Sequence, residues 1–489
     1  MEPEQELFNQ RLKKLDEIKK LKLNPYPYKY ENKDNAKHIL EHFKNLKDQE
    51  KTKHKVSIAG RLMTIRAMGK ATFAHIQDQT GKVQIYLRED DLKKQYGNFT
   101  SLIDIGDIIG IKGTVFRTKM GEITIHVDSY ELLTKSLRPL PEKWHGIKDI
   151  ELRYRQRYLD LISNEEVRNT FIKRSVMINA IQSFLSQHGF LEVTTPILQE
   201  IYGGAAAKPF TTFHNELKST LYLRISPELY LKRLIIGGYE KVYEIGKSFR
   251  NESIDTMHNP EFTMLELYQA YADYNDMMGL TENILREAAQ KTLGKLKFEY
   301  QGKEIDFSKK FQRIKMVDAI KQYGKIDVEK EKDLKKYIKK YNLKLPVNAP
   351  KGVIINELFE ALVEDKLIQP TFIIDYPIEV SPLTKIHRKD KNYTERFELF
   401  INGTEMANAY SELNDPIDQK RRFEDQLQQR KTCDMEAHPM DEDFVKALEY
   451  GMPPTGGLGI GIDRLIILLT NSPSIRDVIL FPSLKPKKD

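Results

Sequence analysis

The chain has 489 residues, of which 40% are hydrophobic and 30% charged, a composition typical of a globular protein with several domains. Its longest apolar run is far shorter than a membrane span, and its first residues lack a secretory signal pattern, so we expect a cytoplasmic protein. The single cysteine, Cys433, excludes an internal disulfide and any zinc site with several cysteine ligands. The formal charge of +7 is compatible with a polyanionic partner but does not require one.

The first predicted element is an amphipathic helix over residues 4–22. Apolar residues recur there near the helical period, and Asn24-Pro25 ends the pattern. Basic residues such as Arg11 and Lys14 occupy the remaining surface of this helix. Two interpretations stay open: the helix packs on a neighbouring element, or it is a basic arm that binds RNA.

Residues 55–134 show the alternation of short β-strands. Five such segments, separated by glycines that include Gly69, Gly81 and Gly106, predict a small closed or partly open barrel. If the apolar residues point inward, the outer face carries aromatic and polar side chains suited to stacking on unpaired bases. These side chains are Phe73, His75, Gln84, Tyr86, Glu122, Thr124 and His126. An ordinary solvated sheet face is the alternative.

The rest of the chain divides into a linker and a large mixed region. Residues 1–54 are predicted to be a helical extension and residues 135–165 a linker. Residues 166–489 mix helices and strands without regular βαβ alternation, which predicts an α+β domain. A lysine-rich helical stretch near 311–365 is predicted to be an insertion into this domain.

Common nucleotide-binding motifs are absent from this sequence. Gly246-Lys247-Ser248 resembles the end of a P-loop, but Lys241 stands where the first glycine should be. The glycines of segment 457–461 have the wrong spacing for a dinucleotide fold.

Three other segments carry a more specific pattern. The first is Gly189-Phe190 with Pro196 seven residues after the glycine, and the second is Phe249-Arg250-Asn251-Glu252 followed by His258, Phe262 and Glu266. The third is Gly457-Leu458-Gly459-Ile460-Gly461-Ile462-Asp463-Arg464-Leu465. Together and in this order they resemble the three signature motifs of the class II aminoacyl-tRNA synthetases. The class I signatures are absent.

Further segments resemble the bacterial-type lysyl-tRNA synthetases of subclass IIb. They are 135–141, 203–210, 226–230 and 411–415. The resemblance implies an α+β fold with an N-terminal five-stranded OB-fold barrel, which binds the anticodon, and a catalytic domain on an antiparallel sheet with flanking helices. Met257 departs from the pattern, since many relatives carry arginine there, and so do Ala407 and Ala409, where glycine is common.

The resemblance also implies an activity and partners. The enzyme would activate lysine with ATP and Mg²⁺, release pyrophosphate, and transfer lysine to the 3′-terminal ribose of tRNA(Lys). Residues 189–196 would contribute to a homodimer interface. Because two anions must meet in the first step, positive charge and positioning should dominate catalysis.

Site roles follow from the same resemblance. Arg250 would bridge the lysine carboxylate and the α-phosphate, and Arg464 would hold the γ-phosphate. The ATP-binding set is Glu252, His258, Asn259, Phe262 and Arg464. The lysine-binding set is Gly204, Glu228, Arg250, Glu266, Tyr268, Asn408 and Glu412. The anticodon-reading set is Arg61, Phe73, Gln84 and Glu122.

A metal site can be argued from the residues themselves. Asn402-Gly403 between apolar runs predicts a β-hairpin that pairs 401 with 404, 400 with 405 and 398 with 407. Glu398 and Glu405 are then diagonal neighbours on one face, where two carboxylates repel unless a cation such as Mg²⁺ bridges them. Strict alternation puts Asn408 on the other face, so a bulge or a strand end must intervene for both to reach the ligands.

Selectivity for lysine has a physical basis as well. The glutamates of the lysine-binding set would face two ammonium groups, and burying a cation without a partner costs several kcal/mol. Three alternatives remain: a ligase that lysylates a protein such as elongation factor P, a synthetase for aspartate or asparagine, and an inactive RNA-binding relative.

Overall fold

The computed structural model describes residues 3–141, 149–346, 348–432 and 440–486, without the side chains of 428–432. Cys433 and residues 142–148 of the predicted linker lie outside these ranges. The chain divides into two compact units, residues 1–148 and 149–489. Within the described ranges, every helix is too short or too polar to traverse a lipid bilayer.

The first unit contains five strands and four helices. In chain order they are α1 (Pro3–Lys20), α2 (Ala36–His42), β1 (Lys51–Met68), β2 (Ala71–Gln77), β3 (Lys82–Arg88), α3 (Glu89–Leu92), α4 (Lys94–Leu102), β4 (Ile108–Arg117) and β5 (Ile123–Thr134). The strands close into a barrel in the order β1-β2-β3-β5-β4, as the alternation predicted. Ala74, Ile76 and Ile85 are fully buried, alternate mainly with half-buried neighbours and point into the barrel core.

Helix α1 packs within the first unit. Its Arg11 is buried and donates to the carbonyls of Ile105, Ser136 and Arg138, and Lys14 pairs with Asp104 at 2.6 Å. The structure therefore shows the packed helix, with two of its basic side chains occupied by intrachain partners.

The second unit carries the remaining elements. The helices are α5 (Ile150–Arg155), α6 (Arg157–Ser163), α7 (Glu165–Gln187), α8 (Glu228–Ile236), α9 (Tyr274–Leu293), α10 (Met316–Ala319), α11 (Lys335–Lys340), α12 (Lys351–Leu362), α13 (Pro416–Thr432), α14 (Glu442–Glu449), α15 (Ile462–Thr470) and α16 (Ile475–Val478). The strands are β6 (Leu191–Glu192), β7 (Leu198–Gln199), β8 (Thr211–His214), β9 (Ser219–Leu223), β10 (Lys241–Phe249), β11 (Glu261–Ala270), β12 (Lys297–Tyr300), β13 (Lys303–Asp306), β14 (Gln312–Lys315), β15 (Thr371–Pro377), β16 (Tyr393–Ile401), β17 (Thr404–Ser411) and β18 (Thr455–Gly461). A π-helix spans Ile320–Gly324, and 3₁₀ turns span Glu364–Lys366 and Ile378–Val380.

An eight-stranded sheet organises this unit, in the order β14-β15-β16-β17-β18-β11-β10-β6. Both edge pairs are parallel, and the pairs between them are antiparallel. One face packs on α7, α9 and α15 through a large apolar core. The mixed order, with helices on the sheet, is the predicted α+β class.

Two regions differ in detail from the sequence-based picture. Residues 150–163, inside the predicted linker, form α5 and α6, and Arg157 is fully buried against Asp160 at 2.9 Å. The stretch 311–365 is largely helical, but it begins with β14, which pairs with β15 in the main sheet. Its apolar residues form a separate core with the end of that sheet.

Candidate active site

A cavity of about 110 Å³ lies beside the central strands of the large sheet. Its lining includes Arg250, Glu252, His258, Asn259, Phe262, Glu405 and Arg464. Every residue predicted to bind ATP is therefore on this one cavity, although the residues come from β11, the segment before it and α15. Met257 lines it too, at the position where relatives carry arginine.

Arg250 follows the end of β10 and faces the cavity. Its guanidinium carbon lies 5.2 Å from the centre of the Phe262 ring, and its Nε is buried without a hydrogen-bond partner among the described residues. Burial lowers the pKa of Arg250, with Glu252 and Glu405 opposing that shift. A buried guanidinium without a tight carboxylate partner is available to an anionic ligand.

Arg464 sits in the first turn of α15, directly after the glycine-rich strand β18. Its Nη1 donates to the carbonyl of Glu405 at 2.8 Å and to that residue's carboxylate at 3.0 Å. The preceding residue, Asp463, accepts from the Thr263 amide at 2.6 Å and pairs with Arg174 at 2.6 Å. These contacts tie the start of α15 to β11 and α7, which fixes the position of Arg464.

The loop before β11 holds the remaining ATP candidates. Glu252 and His258 are exposed to the cavity, and the His258 ring lies 2.8 Å from Asp255. Asn259 is buried, donates to the Glu261 carbonyl at 2.6 Å and accepts from the Ser483 amide. The structure thus gives Asn259 a clear role in shaping the loop.

The β16–β17 hairpin contains the predicted bulge. Residue 401 pairs with 404 and 400 with 405 as expected, but 399 then pairs with 407 and 398 with 408. The predicted pairing of 398 with 407 is wrong, because Met406 is an extra residue in β17. The bulge places Asn408 opposite Glu398 while Glu405 stays at the cavity. Ala407 and Ala409 are buried in the core, so their departure from glycine does not touch the ligand side.

Glu398 and Glu405 lie in a strongly negative environment. Burial raises the pKa of Glu398 to about 6, against the effect of Arg396, whose Nη2 lies 2.5 Å from it. Burial also raises the pKa of Glu405, but Arg464 outweighs it and the net shift is downward. Burial and the nearby Glu360 raise the pKa of Glu364, in the turn after α12, to about 7.

This donor set fits a magnesium ion that is shared with a substrate. Among the described residues there is no group of three or more acidic, histidine or cysteine side chains placed to enclose a metal. Mg²⁺ usually takes one or two carboxylates and completes its shell with phosphates and water. Glu405 lines the cavity and Glu398 lies close enough to interact with it electrostatically, so these two carboxylates fit that requirement.

A buried cluster of acidic and aromatic side chains lies on the same sheet, and it is called the acidic pocket below. Cross-strand pairing aligns Tyr410, Gly457 and Tyr268 in one row over three strands. A Cβ on Gly457 would lie 2.0 Å from Glu412 Oε1 and 2.6 Å from the Tyr268 ring. Glycine is therefore required at 457, because its missing side chain leaves room for the Glu412 carboxylate between two tyrosines.

The acidic side chains predicted to bind lysine converge here. Glu228, Glu266 and Glu412 are all at least 93% buried. Burial raises the pKa of Glu266 to about 8, with a further contribution from Glu228, although the Ser226 hydroxyl donates to its carboxylate at 2.9 Å. Burial likewise raises the pKa of Glu412 well above its ordinary range.

Gly204 forms part of the wall next to Glu228. Its φ of +85° is in the left-handed region, and a Cβ there would lie 2.8 Å from both the Ser226 hydroxyl and the Glu228 Cβ. A side chain at this position would fill the pocket. Asn408 accepts from Arg396 Nε at 3.2 Å at the border between the pocket and the metal candidates.

Sequence reasoning missed several residues of this pocket, above all Lys232. Its ammonium is fully buried, lies 2.6 Å from Glu228 and pairs with Glu412. Tyr410 donates to Glu228 Oε2 at 2.8 Å, and Arg396 orients both Glu398 and Asn408. The four-residue step from Glu228 to Lys232 was a usable signal for their pairing.

The barrel unit carries a separate cluster on its outer face. His75 lies 2.8 Å from Glu122, and Gln84 bridges Glu122 at 2.6 Å and Thr124 at 2.8 Å. Phe73 packs on Tyr86 with ring centroids 4.6 Å apart. Thr124 is buried, contrary to the expectation of an open face.

Arg61 does not join that cluster. It donates to the Gly106 carbonyl at 2.7 Å, and burial lowers its pKa. The structure brings together Phe73, Gln84 and Glu122 but gives Arg61 an intrachain partner.

Comparisons with known proteins agree with this geometry. The family described as class II tRNA synthetases (D, K and N) matches residues 149–485, and the OB-fold nucleic acid binding domain matches residues 56–133. A lysine–tRNA ligase of Pelotomaculum thermopropionicum is 56% identical over 488 residues, covering 99% of this chain and 96% of the relative. The lysine–tRNA ligase of Carboxydothermus hydrogenoformans is 57% identical over 485 residues, covering 99% and 98%. That of Halalkalibacterium halodurans is 54% identical over 488 residues, covering 99% and 97%.

Proposed function

Because the chain belongs to the class II tRNA synthetases (D, K and N), we propose that it is a lysine–tRNA ligase. It activates lysine with ATP to lysyl-adenylate and pyrophosphate, then transfers lysine to the 3′-terminal ribose of tRNA(Lys). The observation that carries this proposal is the buried cluster of Glu228, Glu266 and Glu412, in which Lys232 is the ion-pair partner of Glu228 and Glu412 and Glu266 has none among the described residues. A ligand with two ammonium groups balances that charge, whereas aspartate would add to it.

Activation is mainly a matter of holding two anions together. Arg250 contacts the lysine carboxylate and the α-phosphate, because a planar guanidinium offers parallel donors to two oxygens. Its Nε has no hydrogen-bond partner in the described chain, so no existing bond at that atom must break first. Asn408 orients the lysine carboxylate from the other side.

The same cavity positions the nucleotide. Phe262 stacks on adenine, Glu252 accepts from the adenine amino group, and His258 contacts the outer phosphates. Arg464 binds the γ-phosphate and must leave Glu405 to do so, since the two are paired at 3.0 Å. Asn259 acts through the loop that carries His258.

Magnesium is the cofactor we propose for this site. Glu398 and Glu405 would hold it together with phosphate oxygens, and the bound ion supplies positive charge that stabilises the phosphates during displacement. A test replaces Glu398 by Gln: we expect the Mg²⁺ concentration for half-maximal activity to rise several-fold. Unchanged magnesium dependence would remove Glu398 from the metal site.

The two ammonium groups of the lysine substrate bind to different glutamates. Glu228, with Gly204 beside it, receives the α-ammonium, and Glu412 with Tyr268 receives the side-chain ammonium. Glu266 completes the acidic lining. A pocket that hydrogen-bonds its substrate can reject analogues lacking that group by roughly 10⁴–10⁵, which makes a separate editing domain unnecessary.

The barrel unit is proposed to bind the anticodon. Phe73 stacks on a base, while Gln84 and Glu122 read base edges. Arg61 is a weaker candidate, because its guanidinium already donates a hydrogen bond to the Gly106 carbonyl. The alternative of a protein-lysylating ligase lacks support from this unit, which matches a nucleic-acid-binding domain over 78 residues, 56–133.

Assembly and location are proposed with the function. Exposed apolar residues lie within and directly after the first motif, namely Leu191, Ile197, Leu198 and Ile201. Such a patch beside residues 189–196 supports a homodimer interface. A cytoplasmic location follows from the role in translation that the bacterial relatives' names imply.

ATP–pyrophosphate exchange with lysine, aspartate or asparagine tests the activity without tRNA. We expect exchange to depend on lysine. Exchange driven by aspartate or asparagine would overturn the substrate assignment, and absence of exchange with all three would favour an inactive relative. Charging assays with tRNA(Lys) and with elongation factor P then identify the acceptor, and labelling of the protein alone would refute the tRNA reaction.

A further inference from the structure

Lys232 is the one buried cation of the described pocket, and the proposed reaction does not use it. It lies on α8, one turn after Glu228, and its side chain has no exposed area. The rings of Tyr268, Tyr410 and Phe444 surround the ammonium at 5.6–6.0 Å. Cation–π contacts with these rings and ion pairs with two carboxylates therefore fix the position of the ammonium.

Different carboxylate oxygens of the pocket have different partners. The Lys232 ammonium donates to Glu228 Oε1 at 2.6 Å and forms an ion pair with Glu412 Oε2. The Tyr410 hydroxyl donates to Glu228 Oε2. Both Glu412 oxygens are buried without a hydrogen-bond partner among the described residues, but Oε2 has the ion pair with Lys232, whereas Oε1, which lies against Gly457, has no described cation or donor.

An unsatisfied buried carboxylate oxygen is costly, so it indicates a missing donor. We propose that Lys232 is a positioning residue for the amino-acid substrate: its ammonium fixes Glu228 and Glu412 and leaves Glu412 Oε1 as the acceptor for the substrate's side-chain ammonium. This inference rests on the proposed lysine–tRNA ligase function, and it assigns one oxygen of Glu412 to each of two ammonium groups.

Charge supports this role of Lys232. Burial alone would lower the pKa of Lys232, but Glu228 and Glu412 outweigh it, so the ammonium stays charged. Its charge in turn opposes the protonation of Glu412 that burial favours. The other titratable groups that interact with the pair are Glu266 and Tyr268 from β11 and Tyr410 from β17, and three arginines act in turn on these groups: Arg224 and Arg250 on Glu266, and Arg396 on Tyr410.

Removing the ammonium should therefore weaken lysine binding in a pH-dependent way. In Lys232→Met the buried Glu412 loses the cation that opposes its protonation, and a protonated carboxyl cannot pair with an incoming ammonium. The defect should shrink as the pH rises and this carboxyl ionises again. Free lysine keeps its side-chain charge at pH 8.5, since that group has a pKa of about 10.4.

The experiment measures lysine-dependent ATP–pyrophosphate exchange by the full chain at pH 7.0 and 8.5. For Lys232→Met we expect the KM for lysine to exceed the wild-type value at least tenfold at pH 7.0, and the ratio to fall at least threefold at pH 8.5. The KM for ATP should stay within about twofold. Because each value is divided by the wild-type KM at the same pH, the titration of free lysine cancels.

Two further variants keep the test decisive. Lys232→Gln removes the charge but keeps N–H donors, and it carries the same prediction if Lys232→Met does not fold. Arg157→Met removes another fully buried cation, paired with Asp160 away from the pocket, and should lower stability without changing the pH dependence of the lysine KM.

The possible results distinguish the positioning role of Lys232 from the proposed lysine–tRNA ligase activity. A lysine KM within twofold of wild type, or a defect of equal size at both pH values, would show that Lys232 only stabilises the fold. Wild-type exchange that does not depend on lysine would instead overturn the ligase proposal, and with it the positioning role.

Discussion

Replacing Gly457 by alanine tests whether the geometry of the acidic pocket determines lysine recognition. The new Cβ would lie 2.0 Å from Glu412 Oε1, so the carboxylate must move roughly 1.4 Å to reach ordinary van der Waals contact. The Tyr268 ring lies 2.6 Å from the same Cβ position, so the new methyl group cannot avoid Glu412 by shifting towards that ring. The substitution therefore displaces the acceptor of the side-chain ammonium while the strand itself persists.

The expected loss follows from the contact that is broken. A hydrogen bond to a charged group contributes about 1.5–3 kcal/mol, and each 1.4 kcal/mol is about tenfold in affinity. The KM for lysine in pyrophosphate exchange should therefore rise about 10–150-fold, with the KM for ATP little changed, because the ATP-lining residues do not contact Gly457.

A matched control exists two residues along the same strand. A Cβ on Gly459 meets no described atom closer than 3.5 Å, so Gly459→Ala should leave the melting temperature unchanged, whereas Gly457→Ala should lower it. A lysine KM unchanged in Gly457→Ala would refute the placement of Glu412. An equal rise in the KM for ATP would show a general distortion of the sheet instead.

Three further predictions concern other parts of the molecule. Arg250→Ala should lower exchange by about 10²–10³-fold and leave the unfolding free energy unchanged or higher, because the lost guanidinium is poorly partnered. At pH 7 lysine binding should release close to one proton from Glu266, whose pKa burial raises to about 8, and lysine affinity should rise with pH up to that value; calorimetry in buffers of different ionisation enthalpy measures the release. Phe73→Ala should weaken tRNA(Lys) charging by about 5–150-fold through lost stacking, with exchange unaffected.

Each of these has a result that would contradict it. Near-normal turnover in Arg250→Ala would remove the bridging role. Proton release that persists in Glu266→Gln would assign the titration to another group. For the barrel, Tyr28→Ala replaces an exposed aromatic side chain of the same unit away from the sheet face, and an equal charging defect there would point to a non-specific effect.

The fold was largely predictable because its signals are periodic. Alternation located the five barrel strands, and the Asn402-Gly403 turn fixed the hairpin register up to residue 405. The two helices of 150–163 were missed, since their stability comes from the buried Arg157–Asp160 pair and carbonyl contacts with the chain near residue 480. Contacts between residues more than 300 positions apart leave no local pattern.

The residues of the site likewise divide into those that the sequence could predict and those that depend on tertiary contacts. Motif residues such as Arg250 and Arg464 could be identified because their spacing resembles a known family. Lys232 could not, because a glutamate and a lysine four residues apart on a helix usually form an exposed pair. Only the tertiary structure, which buries α8 against β11 and α14, turns this ordinary pair into part of a pocket.

Most charged side chains of the site are paired with one another. Arg464 holds Glu405, Arg396 holds Glu398, and Lys232 holds Glu228 and Glu412. Substrates would therefore enter by exchanging partners, which avoids leaving isolated charges buried at any step. If the γ-phosphate binds Arg464 as proposed, Glu405 would lose its cation and become a better ligand for magnesium. ATP and metal should consequently bind cooperatively, and the coupling should vanish when Arg464 is replaced by a neutral residue.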